Sequence, residues 1–291
     1  MAIEGSRGAA GAAKAGPTGR AARPALLGAL LLIVAAAAGL YLLLRPIKAP
    51  LNYYDEGLVL LNATNVLHGD VPYRDFWSLY SPGYYYMLAG VFKLFGTTVM
   101  VARLFDVLQR LLLALAVFGV ARRFIPAPLA LLPFGLTVLW LGSTGFYSYP
   151  VFPAILYALL ACLCLFRFWR VRRARWLLLA GAAAGLSAAI RHDLGAFAAI
   201  GLGLGLLGHA WEKREPFPVR SLLLLGTGAV AVDLPLYLYL ALVGDVRALW
   251  QDLVVFPATG FRAYRDLPKP PLMPDLKRWP AERLDDWVRF Y

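Results

Sequence analysis

Two adjacent carboxylates, Asp55 and Glu56, follow Tyr53-Tyr54 and precede Gly57, just beyond a long apolar run. A carboxylate within hydrogen-bond reach of a hydroxyl or amine can take its proton, so both are candidate general bases. Ionised groups are costly at a bilayer, which makes an acid pair at its edge a functional candidate. The purely structural reading is an acidic helix start that complements the helix dipole. A second polar group, Arg191-His192-Asp193, interrupts two apolar runs much later in the chain. It reads either as a turn between spans or as a phosphate site, because a guanidinium fork can bind two oxygens at once. Between them lies Gly69-Asp70-Val71-Pro72-Tyr73-Arg74-Asp75-Phe76, whose Arg74 and Asp75 are further candidates for substrate contact.

The elements that must position these groups are membrane helices. Of the 291 residues, 60% are hydrophobic and 16% charged, and mean hydropathy is +0.63. A soluble chain carries about 25% charged residues. Pro24 to Leu44 holds no charge over 21 residues, which at ~1.5 Å each covers a hydrocarbon core. This run is longer than the core of a cleaved signal and is read as an uncleaved first helix. Further spans are expected near 103–121, 128–142, 151–167, 176–190, 194–211 and 221–243. The 81–96 stretch is short and opens on Pro82-Gly83, so it is expected to be re-entrant or juxtamembrane. The fold expected is therefore all-α, a polytopic bundle of seven or eight spans.

Charge decides which groups share a face. Counting seven spans places Arg122-Arg123, the arginines from 167 to 175 and Lys213-Arg214 together in the cytoplasm, as the positive-inside rule prefers. The net charge of +12 is thus a property of loops and does not imply nucleic acid. The 45–80 loop, the 142–150 connection, Arg191-His192-Asp193 and the tail beyond residue 244 then face outward. Residues 1–23 read as a disordered basic tail, 24–244 as the membrane domain and 245–291 as a Pro-rich external segment. That segment is expected either to pack over the site or, the preferred reading, to mark a chain truncated before further helices.

Val59, Leu60, Ala63, Val66 and Leu67 recur at helical spacing after the acid pair, and His68-Gly69 is a plausible stop. A surface-lying amphipathic helix is the natural assignment. Trp77, Tyr80, Tyr84, Tyr85 and Tyr86 read as an interfacial aromatic belt, with stacking on a sugar ring as the sharper alternative. Gly203-Leu-Gly205-Leu-Leu-Gly208 matches a dinucleotide fingerprint but sits inside a span with no preceding strand, so it is discounted. Asn62-Ala63-Thr64 is a weak glycosylation sequon. Cys162 and Cys164 sit two apart in an apolar helix, a spacing that suits neither a disulfide nor a metal pair.

Taken in order, Tyr54-Asp55-Glu56-Gly57, Gly69 to Phe76, Ser81-Pro82-Gly83-Tyr84-Tyr85-Tyr86 to Phe95-Gly96, Arg103 and Arg191 resemble the polytopic GT-C glycosyltransferases. The chain is similar to the bacterial branch near the protein O-mannosyltransferases and aminoarabinose transferases, glycosyltransferase family 39, over about residues 25–245. The resemblance implies a polyprenyl-phosphate-linked sugar donor, membrane lipids as surroundings and a lipid, glycan or protein acceptor arriving from outside at an inner-membrane enzyme. It assigns Asp55 as the base with Glu56 in support, and Arg74, Asp75, Tyr80, Arg191 and His192 to substrate. Some relatives use a divalent metal. Here residues 142–150 lack the second loop acid that many relatives carry, so no cofactor is expected. Tyr80-Ser81-Pro82 also replaces the His-Pro-Pro or Lys-Pro-Pro of many relatives, which leaves the acceptor class open. The rival readings are a transporter or lipid flippase, and a structural subunit of an envelope complex. The first expects inverted repeats and mid-membrane charges, but no convincing repeat is evident and Asp233 is the one well-centred acid.

Overall fold

The computed structural model describes residues 22–145 and 147–260. Most of the basic tail at 1–23, and the segment from 261 onward, lie outside the described residues. Ten helices carry the argument: α1 (Ala22–Leu44), α2 (Leu58–His68), α3 (Gly83–Phe95), α4 (Val99–Ala121), α5 (Ala127–Ser143), α6 (Val151–Val171), α7 (Arg175–Ile190), α8 (His192–Glu212), α9 (Val219–Val243) and α10 (Val246–Trp250). The fold is the expected all-α polytopic bundle. Five of the described helices are long and apolar enough to cross a membrane, and α5 and α7 are shorter apolar helices. α3, at 13 residues, reaches only ~20 Å and cannot cross unaided.

Local signals account for the boundaries. Thr98 accepts a hydrogen bond from the Val101 amide to open α4, as an N-cap should. Gly69 closes α2 in the left-handed region at φ 102°, the conformation for which glycine has no steric penalty. Between α1 and α2 the chain makes a 3-10 turn at Arg45–Lys48 and a π-helical turn at Tyr53–Gly57. α4, α6 and α8 run away from the end of the bundle that carries Asp55 and Arg191, whereas α1, α5, α7 and α9 run towards it. The arginines that end α4 and α6 accordingly gather at the opposite end.

Helices in lipid gain little from hydrophobic exclusion between themselves, so close backbone approach matters more. α7 packs against α6 on one side and α9 on the other. At the α7–α9 crossing Gly181 lies against the Leu225 carbonyl, Gly228 against the Leu178 carbonyl, and Gly185 against Ala229. A Cβ at Gly228 would meet backbone, which cannot rotate aside. Gly228→Val is therefore expected to destabilise the protein by about 1–3 kcal/mol through overpacking. Gly226→Ala, whose added methyl meets nothing within 4 Å, should melt with the wild type in the same detergent.

Two motifs set aside above find packing roles. Gly205 lies in α8 against Leu165 and Trp169, so the glycine-rich run is helix packing. Asn62 is buried in α2 and reaches the Tyr85 phenol, which leaves no space for a glycan. The expected aromatic belt divides: Tyr84 and Tyr85 are core residues at 0% and 1% exposure, Tyr86 pairs edge-on with Tyr239, and Trp77 and Tyr80 line a cavity. Cys162 and Cys164 are free thiols in α6.

Candidate active site

Asp55 and Glu56 are neighbours that point apart. The Asn52 side chain accepts from the amides of Tyr54 and Asp55, capping the turn that follows. Gly57 N bonds to Asn52 O at 2.9 Å, the wide closure of a π-helical turn, a form frequent at functional sites. Successive residues on a helix are rotated by roughly 100°, so two adjacent acids can take different faces, and here Asp55 faces the cavity while Glu56 is buried. Asp55 lines a cavity of about 400 Å3, and Asn52 Nδ2 donates to its Oδ2 at 3.3 Å. Oδ1 has no protein partner among the described residues.

Glu56 faces the protein interior. Its carboxylate is fully buried and takes two bonds from Arg103 of α4, Nε to Oε1 and Nη2 to Oε2, both at 2.7 Å. Arg103 Nη1 also donates to the carbonyls of Ile47 and Ala49 at 2.8 and 2.7 Å. One guanidinium thus fastens the strap after α1 to the turn that bears Asp55. The fork geometry suits this two-oxygen grip. One turn along α4 from Asp106, Arg110 bonds that acid at 2.6 Å and the Leu141 carbonyl at the end of α5. Tyr147 lies between the two arginines, 4.7 Å from Arg103 and 5.0 Å from Arg110 by ring centroid. Glu56, assigned to the chemistry from the sequence, is thus placed in a buried ion pair behind the wall, apart from the cavity that Asp55 lines.

The opposite wall comes from the turn Ser81-Pro82-Gly83 docked on the α7–α8 junction. Ser81 is buried; its Oγ accepts from the His192 amide at 3.0 Å and meets His192 Nδ1 at 3.1 Å. A Cβ at Gly83 would stand 2.5 Å from the Ala189 carbonyl, so only glycine lets the turn sit this close. Arg191 has extended backbone, φ −146° and ψ 104°, between the two helices. Its Nε and Nη2 bond both oxygens of Asp193 at 3.0 and 2.6 Å, while Nη1 is committed to neither. The guanidinium lies 5.8 Å from the centroid of the Tyr80 ring, and Tyr80 meets Tyr149 edge-on at 6.2 Å. Burial raises the Tyr80 phenol above its ordinary value; Tyr149 and the Asp55 charge add to this and Arg191 opposes it. Both Asp55 and Arg191 thus act on one ring.

Arg74 and Asp75 do not join this cavity. Arg74 donates through Nε and Nη2 to both Asp75 oxygens at 2.9 and 2.7 Å, and through Nη1 to the Val243 carbonyl at the end of α9. The Arg74 hydrogen bond, with the Val71 amide, holds the Asp75 carboxyl down to about 2. Tyr73 adopts the left-handed region at φ 68°, a conformation uncommon for a bulky residue. It is held there by burial and by its hydroxyl donating to the Tyr80 carbonyl at 2.7 Å. These residues fix the loop from 69 to 80 against α9. The segment after α9 adds a rim: Trp77 meets Phe256 edge-on at 5.5 Å, and Pro257 lines the cavity.

Of the residues singled out from the sequence, Asp55, Tyr80, Arg191 and His192 share the cavity, whereas Glu56, Arg74 and Asp75 do not line it. Tyr54, Trp77, Ser81, Tyr149 and Asp193 line it as well. Ser81 entered the sequence reading only as part of a motif, and Tyr149 was not singled out, because a lone serine and a lone tyrosine in irregular segments carry no periodic or charge signal. The result is a concave pocket with an acid at one wall, a cation at the other and aromatic faces between, the form of a small-molecule site.

The family model described as dolichyl-phosphate-mannose-protein mannosyltransferase matches residues 80–239, more than half of the chain. The match covers Tyr80, Ser81, Tyr149 and the Arg191-His192-Asp193 junction and begins after Asp55. Comparisons with curated proteins and with solved structures return no match. With its multi-pass bundle, the chain belongs to the dolichyl-phosphate-mannose-protein mannosyltransferase family, membrane glycosyltransferases of the GT-C type.

Proposed function

We propose that this chain transfers a sugar from a polyprenyl-phosphate-linked donor to a lipid, glycan or protein acceptor, with Asp55 as general base. The observation that carries the reading is the single cavity shared by the Asp55 carboxylate and the Arg191 guanidinium. In this scheme Asp55 Oδ1 takes the proton from the acceptor hydroxyl or amine as that atom attacks the anomeric carbon. The bond from that carbon to the phosphate oxygen breaks with inversion, and the polyprenyl phosphate leaves with the electron pair. Arg191, whose Nη1 has no bond among the described residues and which is backed by Asp193, meets the charge gathering on the phosphate, the place where fixed cations lower a barrier most. Tyr80 and Tyr149 offer ring faces to the sugar, and Ser81 holds His192 at the same rim. The scheme calls for no cofactor. It places the cavity on the periplasmic side of the inner membrane, in line with the arginine-rich opposite end.

The test is transfer in proteoliposomes from a panel of polyprenyl-phosphate sugars to a mixed acceptor extract. Wild type is expected to use at least one lipid-linked donor and no nucleotide sugar. Arg191→Gln is expected to lower the rate about 10²–10³-fold, as loss of one charge-stabilising donor does. Folded wild-type protein that transfers from none of the lipid donors would sink the reading and favour transport.

A further inference from the structure

The end of the bundle remote from the cavity holds a second cleft, of about 580 Å3, between the ends of α4 and α6. It is lined by Arg122, Arg123 and Arg170, with Phe118, Gly119 and Phe166 forming its inner wall. Each phenylalanine stands four residues before an arginine, Phe118 before Arg122, which caps α4, and Phe166 before Arg170 of α6. Residues four apart share one helical face, so both helices present an aromatic step on the side of the spans and a cation at their ends. Gly119 lets α6 approach closely, a Cβ there standing 3.3 Å from Leu163, and the cleft opens where the helices end. Phe124 packs edge-on against Phe166 at 5.8 Å.

Among the described residues the charges in the cleft have no carboxylate counter-ions. Two acids, Glu212 at the end of α8 and Glu215 in the turn after it, lie at this end. Glu215 is bound by Arg172 at 3.1 Å, and Glu212 by Lys213 at 3.5 Å. No described carboxylate pairs with Arg122, Arg123 or Arg170. Like charges held around one cleft repel, and an anion between them relieves that cost.

We infer that this cleft is a binding site for the phosphate head group of an anionic glycerophospholipid, with Phe118 and Phe166 against the start of its acyl chains. The aromatic wall favours a lipid over a free phosphate. A soluble anion would have no use for two rings on the membrane side, whereas a lipid places its polar and apolar parts in that order. Basic pockets between helix ends bind lipid head groups by the same chemistry. The site is independent of the sugar-transfer scheme and lies at the other end of the bundle.

Native mass spectrometry of the purified protein, titrated with phosphatidylglycerol and with phosphatidylcholine, tests the assignment. Wild type is expected to retain phosphatidylglycerol at least about tenfold more tightly, since each arginine near a lipid surface is worth about fivefold. The variant Arg122→Gln/Arg123→Gln/Arg170→Gln should lose that preference. Arg167→Gln/Arg173→Gln/Arg175→Gln removes the same charge from the neighbouring cleft and should keep it. Melting temperature in detergent checks that both variants are folded. Equal loss in the two variants would mean diffuse attraction and overturn the site, as would an unchanged preference in the first. Displacement of the lipid by millimolar inorganic phosphate, with Phe118→Ala/Phe166→Ala as wild type, would assign the cleft to a free anion and overturn the lipid reading.

Discussion

Asp55→Asn is expected to lower the rate of sugar transfer by about 10²–10⁴-fold, the usual range for loss of a general base. The amide keeps the size and shape of the carboxylate, and the Asp55 backbone amide still donates to Asn52 Oδ1 at 3.2 Å. Only the capacity to accept a proton is removed. Because the side chain faces the cavity, the melting temperature in detergent should stay within about two degrees of wild type, a shift of under about 1 kcal/mol. Rate is measured as product formed per folded molecule in proteoliposomes with the preferred lipid-linked donor. A variant as fast as wild type would remove Asp55 from the chemistry and leave Arg191 and His192 to be explained differently.

The opposite pattern is expected one residue later. Glu56→Gln or Arg103→Met, made singly, leaves a buried charge without its partner, a change that costs about 3–5 kcal/mol. Both side chains are at or below 5% exposure, so solvent offers little relief. Thermal melting should show this loss directly. The double variant Glu56→Gln/Arg103→Met should recover part of it, because no unpaired charge remains; the shortfall from additivity measures the pair. Arg103 also holds the carbonyls of Ile47 and Ala49, so recovery will be incomplete. Were Glu56 a chemical participant, Glu56→Gln would slow transfer and leave melting unchanged. Two adjacent acids thus separate by which measurement moves.

The two acids also show where reading the chain succeeded and where it stopped. Charge-free apolar runs made the helices legible, because a lipid-spanning segment tolerates few ionised groups. Arginine clusters assigned together to one end then brought Asp55 and Arg191 to the other face across more than a hundred residues. What composition could not show was direction. Asp55 and Glu56 are chemically alike, and only the π-helical turn after Asn52 sends one outward and one inward. Arg103 stood at the edge of the span expected at 103–121, yet it lies within α4, as Arg110 does, at 4% and 1% exposure, with their charge met by acids and carbonyls. Arg74 and Asp75 looked like a substrate pair because they are polar residues in an external loop. They bond each other, as neighbours one residue apart can, and stand outside the cavity. The Pro-rich segment was legible only as polar and irregular; its first turns, through Phe256 and Pro257, shape the rim.

The grip of Arg103 on Glu56 reaches across 47 residues, and the bond from Ser81 to His192 across 111. Neither can form before its later partner has left the ribosome. While α1 alone is in the bilayer, the turn bearing Asp55 has no anchor and Glu56 is a solvated acid. Synthesis of α4 draws that acid inside and sets the first wall. The second wall waits for the α7–α8 junction, when the turn at residues 81–83 finds its seat. Assembly of this site is therefore a two-step event ordered along the nascent chain, and any product ending before residue 191 lacks the cation that faces Asp55.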